Sequence, residues 1–170
     1  MSYVFFDLDK TLIRAQSQRL LIQVLYKRKL ISFRTVWRLR FFFLSYKLHL
    51  VSQNRMEVLF EKAAELFKGV DVEQMRKVTH AFVFAEFADI LNFKAVEELE
   101  KHISAGKQVV LTSGKDKVTH LAKYDFTGSF AYSDHHSDLP LLIKATYRYA
   151  VSPTRQLRDY AKSHGWFILE

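Results

Sequence analysis

The spacing of apolar residues changes about halfway along the chain. Residues 3–8 are an apolar, aromatic and short run followed by polar residues, the pattern of a buried strand. Between residues 16 and 50 the apolar positions recur at three and four: Leu20, Leu21, Val24 and Leu25, then Val36, Leu39 and Phe43. That spacing predicts helix, and SFRTVW opens a second one with Ser32 as its cap. Residues 52–68 predict a third helix stopped by Gly69. DVEQMRKVTHAFVFAEF predicts a fourth, with Asp71 as cap and Gln74 at capping-box spacing. Beyond it the pattern alternates. Residues 93–105 read as a helix ending at Gly106, QVVLTS as a strand ending in hydroxyls and KDKVTHLAKY as a short helix. SFAYSD then reads as a strand ending in an acid, DLPLLIKA as a helix, YRYAV as a strand, TRQLRDYAKSHG as a helix and WFIL as a last strand. Strands alternating with short helices predict a parallel α/β sheet. The expected organisation is an α/β core of residues 1–13 and 91–170, with a helical block of residues 14–90 inserted after the first strand.

Composition narrows the class. A chain of 170 residues, 49% hydrophobic, suits one domain with a subdomain and an ample core. No stretch reaches the roughly 18 apolar residues of a membrane span. The opening MSYVFFDLD carries acid inside its first apolar run and no basic segment before it, a poor match to a secretory signal. Cysteine is absent, which excludes a disulfide framework and a thiolate metal site. The expected compartment is cytoplasmic.

Charge is unevenly placed. Residues 10–56 hold eleven Lys or Arg and no Asp or Glu, so the net +8 originates in the early helical segment. Such a segment reads as a solvated face, as a means of drawing an anionic substrate in, or as a dock on an anionic membrane surface at the inner face of the membrane. No groove-reading motif for nucleic acid is present. The RFFFL run is expected to be core of the helical block.

The chemistry gathers at strand ends. In open parallel sheets ligands bind at the carboxyl ends of the strands. Here the first strand ends at Asp7 and Asp9, the second at Thr112 and Ser113, the third at Ser133 and Asp134, and the fourth near Ser152, while Asp138 begins the helix after the third. Converging carboxylates repel, raise one another's pKa values and invite a cation, and an all-oxygen set suits Mg²⁺. Asp7 and Asp9 lie two apart on a strand end and share a face, so one can act as nucleophile and the other as acid–base. Ser113 with Lys115 or Lys117 supplies hydroxyl and positive charge for phosphoryl oxygens.

These residues resemble the motifs of the haloacid dehalogenase (HAD) superfamily of phosphohydrolases. DLDKT is similar to its D-x-D-x-T motif, VVLTS to its strand ending in Ser or Thr, and SDHHSD to its acid-x-x-x-acid motif. The tail from Ala131 to Leu169 and the early helical insertion resemble subfamily IB, the phosphoserine phosphatase-like group. The resemblance implies a HAD-like Rossmannoid sheet with a helical cap after the first strand, and a Mg²⁺-dependent phosphomonoester hydrolase acting on a small phosphorylated substrate. It implies Asp7 as the nucleophile and Asp9 as acid–base, with the Asp9 backbone carbonyl on Mg²⁺. Thr11 steadies the loop, Ser113 holds a phosphate oxygen, and Lys117 neutralises the phosphate and Asp7. Asp7, Asp9, Asp134 and Asp138 form the metal set, and Arg14 and Gln16 are the substrate-binding candidates.

Three departures from the family pattern stand out. Ser113 and Lys117 are only four residues apart, where the family carries a long segment; its loss leaves a narrower sheet with an exposed edge. Gln16 occupies the place of the acid that holds the amine of phosphoserine, which argues against that substrate. His135 and His136 stand where small residues are usual, and adjacent histidines on a loop read as solvent-facing rather than as ligands. The rival expectation is a catalytically impaired relative that acts as a membrane-surface or partner-binding adaptor through its basic helices.

Overall fold

The computed structural model describes residues 2–47, 68–113 and 117–170. The expected helix over 52–68 and Lys115 lie outside the described residues, Lys68 apart. The chain forms two compact units, Met1–Ser17 with Ala88–Glu170, and Gln18–Phe87.

The first unit is built on five parallel strands: β1 (Tyr3–Asp7), β2 (Gln108–Thr112), β3 (Phe130–Ser133), β4 (Tyr147–Val151) and β5 (Phe167–Leu169), in the order β2-β1-β3-β4-β5. Its helices are α4 (Phe93–Ser104), α5 (Lys117–His120), α6 (Leu139–Lys144) and α7 (Arg155–Ser163), with a 3-10 turn at His136–Asp138. Successive residues of β1 face opposite sides. Val4 and Phe6 pack with Ala95 of α4, whereas Phe5 packs with Leu121, Leu141, Leu142, Leu157 and Ala161 beyond α5, on α6 and on α7. The sheet is therefore covered by helices on both faces, as parallel sheets require.

Register explains the packing on the α4 side. Phe6 pairs with Tyr132, Tyr132 with Tyr149 and Tyr149 with Phe167. Their rings stack across four strands at centroid distances of 4.1, 4.4 and 4.8 Å. Aromatic pairs of this kind add to area burial in fixing the register.

The second unit is helical, as the early periodicity requires, with α1 (Ser17–Lys27) running into it, then α2 (Phe33–Lys47) and α3 (Val72–Ile90). Both expected caps are present: the Thr35 amide donates to Ser32 Oγ at 3.1 Å, and the Gln74 amide to Asp71 Oδ1 at 2.6 Å. Val24, Leu25, Ile31, Leu39 and Phe82 are buried. The expectation that RFFFL is core fails at Phe41 and Leu44, which are exposed because they fall on the side of α2 away from buried Leu39. KDKVTHLAKY also falls short: α5 is one turn, and after it Ala122 and Tyr124 bond back three residues, to Thr119 and Leu121, which replaces helix with tight turns.

Candidate active site

The order β2-β1-β3 makes the chain cross from β1 to opposite sides of the sheet, which is the topological switch point of an open α/β fold. The crevice outside the carboxyl ends of β1 and β3 is where such folds bind ligands. Asp7 closes β1, and Ser133 with Asp134 close β3.

The residues after Asp7 form a tight loop. The amides of Thr11, Leu12 and Ile13 all donate to the Leu8 carbonyl, and Lys10 adopts a left-handed φ of 62°. This turns the chain so that Thr11 Oγ1 donates to Asp7 Oδ2 at 3.4 Å, from a fully buried position. Asp9 is partly buried, and its Oδ1 accepts the amide of Ser17, the first residue of α1, at 2.9 Å. That bond fixes the Asp9 side chain at the start of α1.

Lys117 is the centre of the site. Its Nζ donates to Asp7 Oδ1 and to Asp138 Oδ2, at 2.6 Å each, although the residue is only 8% exposed. Asp138 Oδ2 also accepts Ser133 Oγ at 2.5 Å. A buried cation thus bridges two buried carboxylates, one of which is anchored by a buried hydroxyl. Burial pushes the Asp7 carboxyl above its ordinary range, and the hydrogen bond and charge of Lys117 oppose that rise.

Asp134 lies in a different setting. It is buried, and its carboxyl is pushed up to about 6, first by burial and then by the Asp7 charge, with Asp138 adding to the rise and Lys10 opposing it. Among the described residues no side chain donates a hydrogen bond to it. The donor chemistry fits a small hard cation: Asp7 and Asp134 present carboxylate oxygens from neighbouring strands, with excess negative charge between them. Mg²⁺ takes one or two carboxylates beside water and substrate phosphate rather than a complete protein cage. Among the described residues, no group of three or more His, Cys, Asp or Glu is placed to hold a metal ion, so the expected four-carboxylate set of Asp7, Asp9, Asp134 and Asp138 is not assembled as side-chain ligands.

The remaining candidates are placed unevenly. Ser113 lies one residue past β2 and is exposed, while the preceding hydroxyl, Thr112 Oγ1, donates to the Phe6 carbonyl at 3.1 Å and belongs to the sheet. Arg14 is exposed and its Nε donates to the Leu91 carbonyl at 3.0 Å, which makes it a brace at the start of α4. Gln16 is partly buried just before α1. His135 Nδ1 accepts the Ser137 amide at 3.1 Å and so closes the 3-10 turn, while His136 lies edge-on to Tyr160. Asp138, expected in the metal set, has one oxygen engaged by Lys117 and Ser133. Ser133, expected only as a polar group at the end of the third strand, is the residue to which the sequence assigned no role. Its signal was its place beside Asp134 at a strand end, five residues before Asp138.

The parallel sheet, with a helical insertion after its first strand, carries an Asp–Lys–Asp cluster at its switch point. The family profile of haloacid dehalogenase-like hydrolases matches residues 4–120, and the chain belongs to that family. A Streptomyces azureus protein named inhibition of morphological differentiation protein is 25% identical over 213 aligned positions, covering 98% of this chain and 77% of its own length. A Mycobacterium tuberculosis protein named probable phosphatase is 22% identical over 211 positions, covering 97% of this chain and 74% of its own length. Both alignments are longer than the 170 residues of this chain, so these relatives carry segments that it lacks. Among solved structures, a Bordetella pertussis protein of unknown function has a TM-score of 0.78 at 19% identity, over 100% of this chain and 99% of that one. A HAD family hydrolase from Salmonella enterica serovar Typhi has a TM-score of 0.61 at 14% identity, over 94% of this chain and 65% of that one. At these identities the two structures establish the fold. No described helix is long and apolar enough to cross a membrane.

Proposed function

We propose that the chain is a Mg²⁺-dependent phosphomonoester hydrolase of the phosphoserine phosphatase-like subfamily IB, acting through an aspartyl-phosphate on Asp7. The observation that carries this reading is the Lys117 bridge between Asp7 and Asp138. Four residues after Ser113, the lysine still meets the carboxylate at the end of β1, so the shortened connection keeps positive charge where a phosphoryl group would develop negative charge. The probable-phosphatase name of one relative points the same way.

In this mechanism an Asp7 carboxylate oxygen attacks phosphorus, and the bond to the leaving oxygen breaks as Asp9 gives that oxygen a proton. Asp9, now ionised, takes a proton from water, and the resulting hydroxide attacks phosphorus and releases Asp7. The hydrogen bond and charge of Lys117 oppose the rise that burial imposes on the Asp7 carboxyl. Thr11 fixes the second Asp7 oxygen, and Ser113, one residue past the end of β2, takes the phosphate-binding role. Asp7, the Asp9 carbonyl and Asp134 would hold the cation, with Asp138 contributing through Lys117 or water. When bound, Mg²⁺ supplies charge neutralisation for the phosphoryl oxygens. Gln16 in the place of an acid favours a substrate without a free amine at that point.

The test is phosphate release from an aryl phosphate. Activity is expected to require Mg²⁺ and to fall about a thousandfold or more in Asp7→Asn. Undiminished turnover in that variant would remove Asp7 as the nucleophile. The exposed Ser113 supports a second reading, an inactive relative working through its basic helices. A folded protein silent across a phosphomonoester panel would favour it.

A further inference from the structure

The helical unit carries a surface that catalysis does not use. Phe33, Trp37, Phe41 and Leu44 are spaced four, four and three apart on α2, and they are 60, 58, 69 and 52% exposed. At 3.6 residues per turn these four side chains occupy an arc of about 80°. Their spacing is that of an amphipathic face, yet the stripe is open and Leu39, on the other side of the helix, is the buried one. The patch continues through ring contacts, Trp37 to Phe33 at 6.4 Å and Phe33 to Tyr26 at 6.2 Å. Tyr26 is itself 44% exposed.

Cations frame the stripe. On the helical wheel Arg34 and Arg38 flank one side of it and Arg40 the other, and all three are exposed. Lys27, Arg28 and Lys29, next to Tyr26, are exposed as well. No acid occurs anywhere in residues 10–56.

We propose that this face of α2 docks on an anionic lipid bilayer surface. Large apolar side chains entering the headgroup boundary, with arginines on both flanks at headgroup level, are what an in-plane helix needs. Charge complementarity selects this occupant. A second copy of the chain would bring the same cations face to face with no acid on the stripe to meet them. A convex helix face with Leu44 in its apolar row also lacks the basic groove that single-stranded nucleic acid follows.

The test uses vesicles of phosphatidylcholine with one third phosphatidylglycerol, beside vesicles of phosphatidylcholine alone. The wild type is expected to sediment with the anionic vesicles and much less with the neutral ones. In Trp166→Phe, which leaves Trp37 as the sole tryptophan, emission is expected to shift to the blue and to be quenched by brominated acyl chains. Phe41→Ser with Leu44→Ser should weaken partitioning about tenfold or more. Arg34→Gln with Arg38→Gln should weaken it about 25-fold, roughly fivefold per cation. All four positions are exposed, so unchanged circular dichroism is expected to accompany each loss. The proposal is overturned by equal binding to neutral vesicles, or by binding that the stripe variants leave intact. It is equally overturned if the wild type does not sediment with the anionic vesicles, and Phe41→Ser dissolving a dimer or abolishing tight RNA binding at physiological salt would then name the other occupant.

Discussion

Asp134 and Ser133 are adjacent in sequence and make opposite contributions to the fold. The Asp134 carboxyl has an ordinary value of 3.8 and the fold raises it to about 6. A raised carboxyl holds its proton more tightly folded than unfolded, so ionising it destabilises the native state. The penalty is absent below pH about 4, grows between about 4 and 6 and is complete above that, at about 3 kcal/mol for the metal-free protein. Asp134→Asn is therefore expected to raise the metal-free melting temperature by about 6 °C at pH 8 and by about half as much at pH 5. An equal shift at the two pH values would remove charge burial as the cause. Ser133 instead stabilises, since its hydroxyl fixes Asp138, which in turn fixes Lys117. Ser133→Ala should cost about 2 kcal/mol and lower kcat about tenfold, with Ser133→Thr recovering part of both. If denaturant titration and steady-state kinetics show no change in Ser133→Ala, the hydroxyl does not position Lys117.

The elements differ in how plainly the sequence announced them. Buried strands with a polar end, such as β1 and β3, were legible because apolar run and acid both survive without knowledge of their neighbours. The caps at Ser32 and Asp71 were legible for a similar reason, since their partners lie three residues away. What depends on partners distant in sequence was not legible. Nothing local distinguishes Phe41 from a core residue, and no spacing shows that Ser133 reaches Asp138 rather than solvent. The strand-end pattern offered Lys115 or Lys117 for the site, and only the family resemblance singled out Lys117, which reaches Asp7 across 110 positions. The β2 edge shows the cost of the short connection at the scale of an element. Among the described residues β2 pairs with β1 alone, its Leu111 side chain is 56% exposed, and residues 108–113 carry no charge and no proline. Uncharged apolar edges invite pairing between chains. Leu111→Lys is expected to slow aggregation on heating, with stability within about 0.5 kcal/mol of wild type. Faster aggregation, seen by light scattering, would show that β2 is not the sticking edge.

At the scale of the whole molecule, burial is divided unequally. Among the described residues, two packed apolar clusters lie within the α/β unit, where Phe5, Phe6, Tyr132, Leu141, Leu142 and Leu157 are sealed from solvent. Among the described residues of the helical unit, burial falls to Val24, Leu25, Ile31, Leu39 and Phe82, while large side chains such as Trp37 and Phe41 stay open. Local stability follows local apolar burial, so the two units should open at different free energies. Native-state hydrogen exchange is expected to show β1, β3 and β4 amides opening only with global unfolding, and α1 and α2 amides opening at a lower free energy. The two tryptophans make an independent probe, since Trp37 lies in the helical unit and Trp166, packed against the core cluster, in the other. Their fluorescence transitions, read one at a time in single-tryptophan variants, should separate, with Trp37 first in denaturant. Coincident transitions, with exchange of α1 and α2 at the global value, would mean that the chain unfolds as one cooperative body. That result would make the helical unit's stability depend on the α/β unit rather than on its own core. Anionic vesicles then provide the decisive variation. Binding through α2 must raise the exchange free energy of that helix by mass action and leave β1 and β3 unchanged if the units are separate, or raise all of them together if they are one.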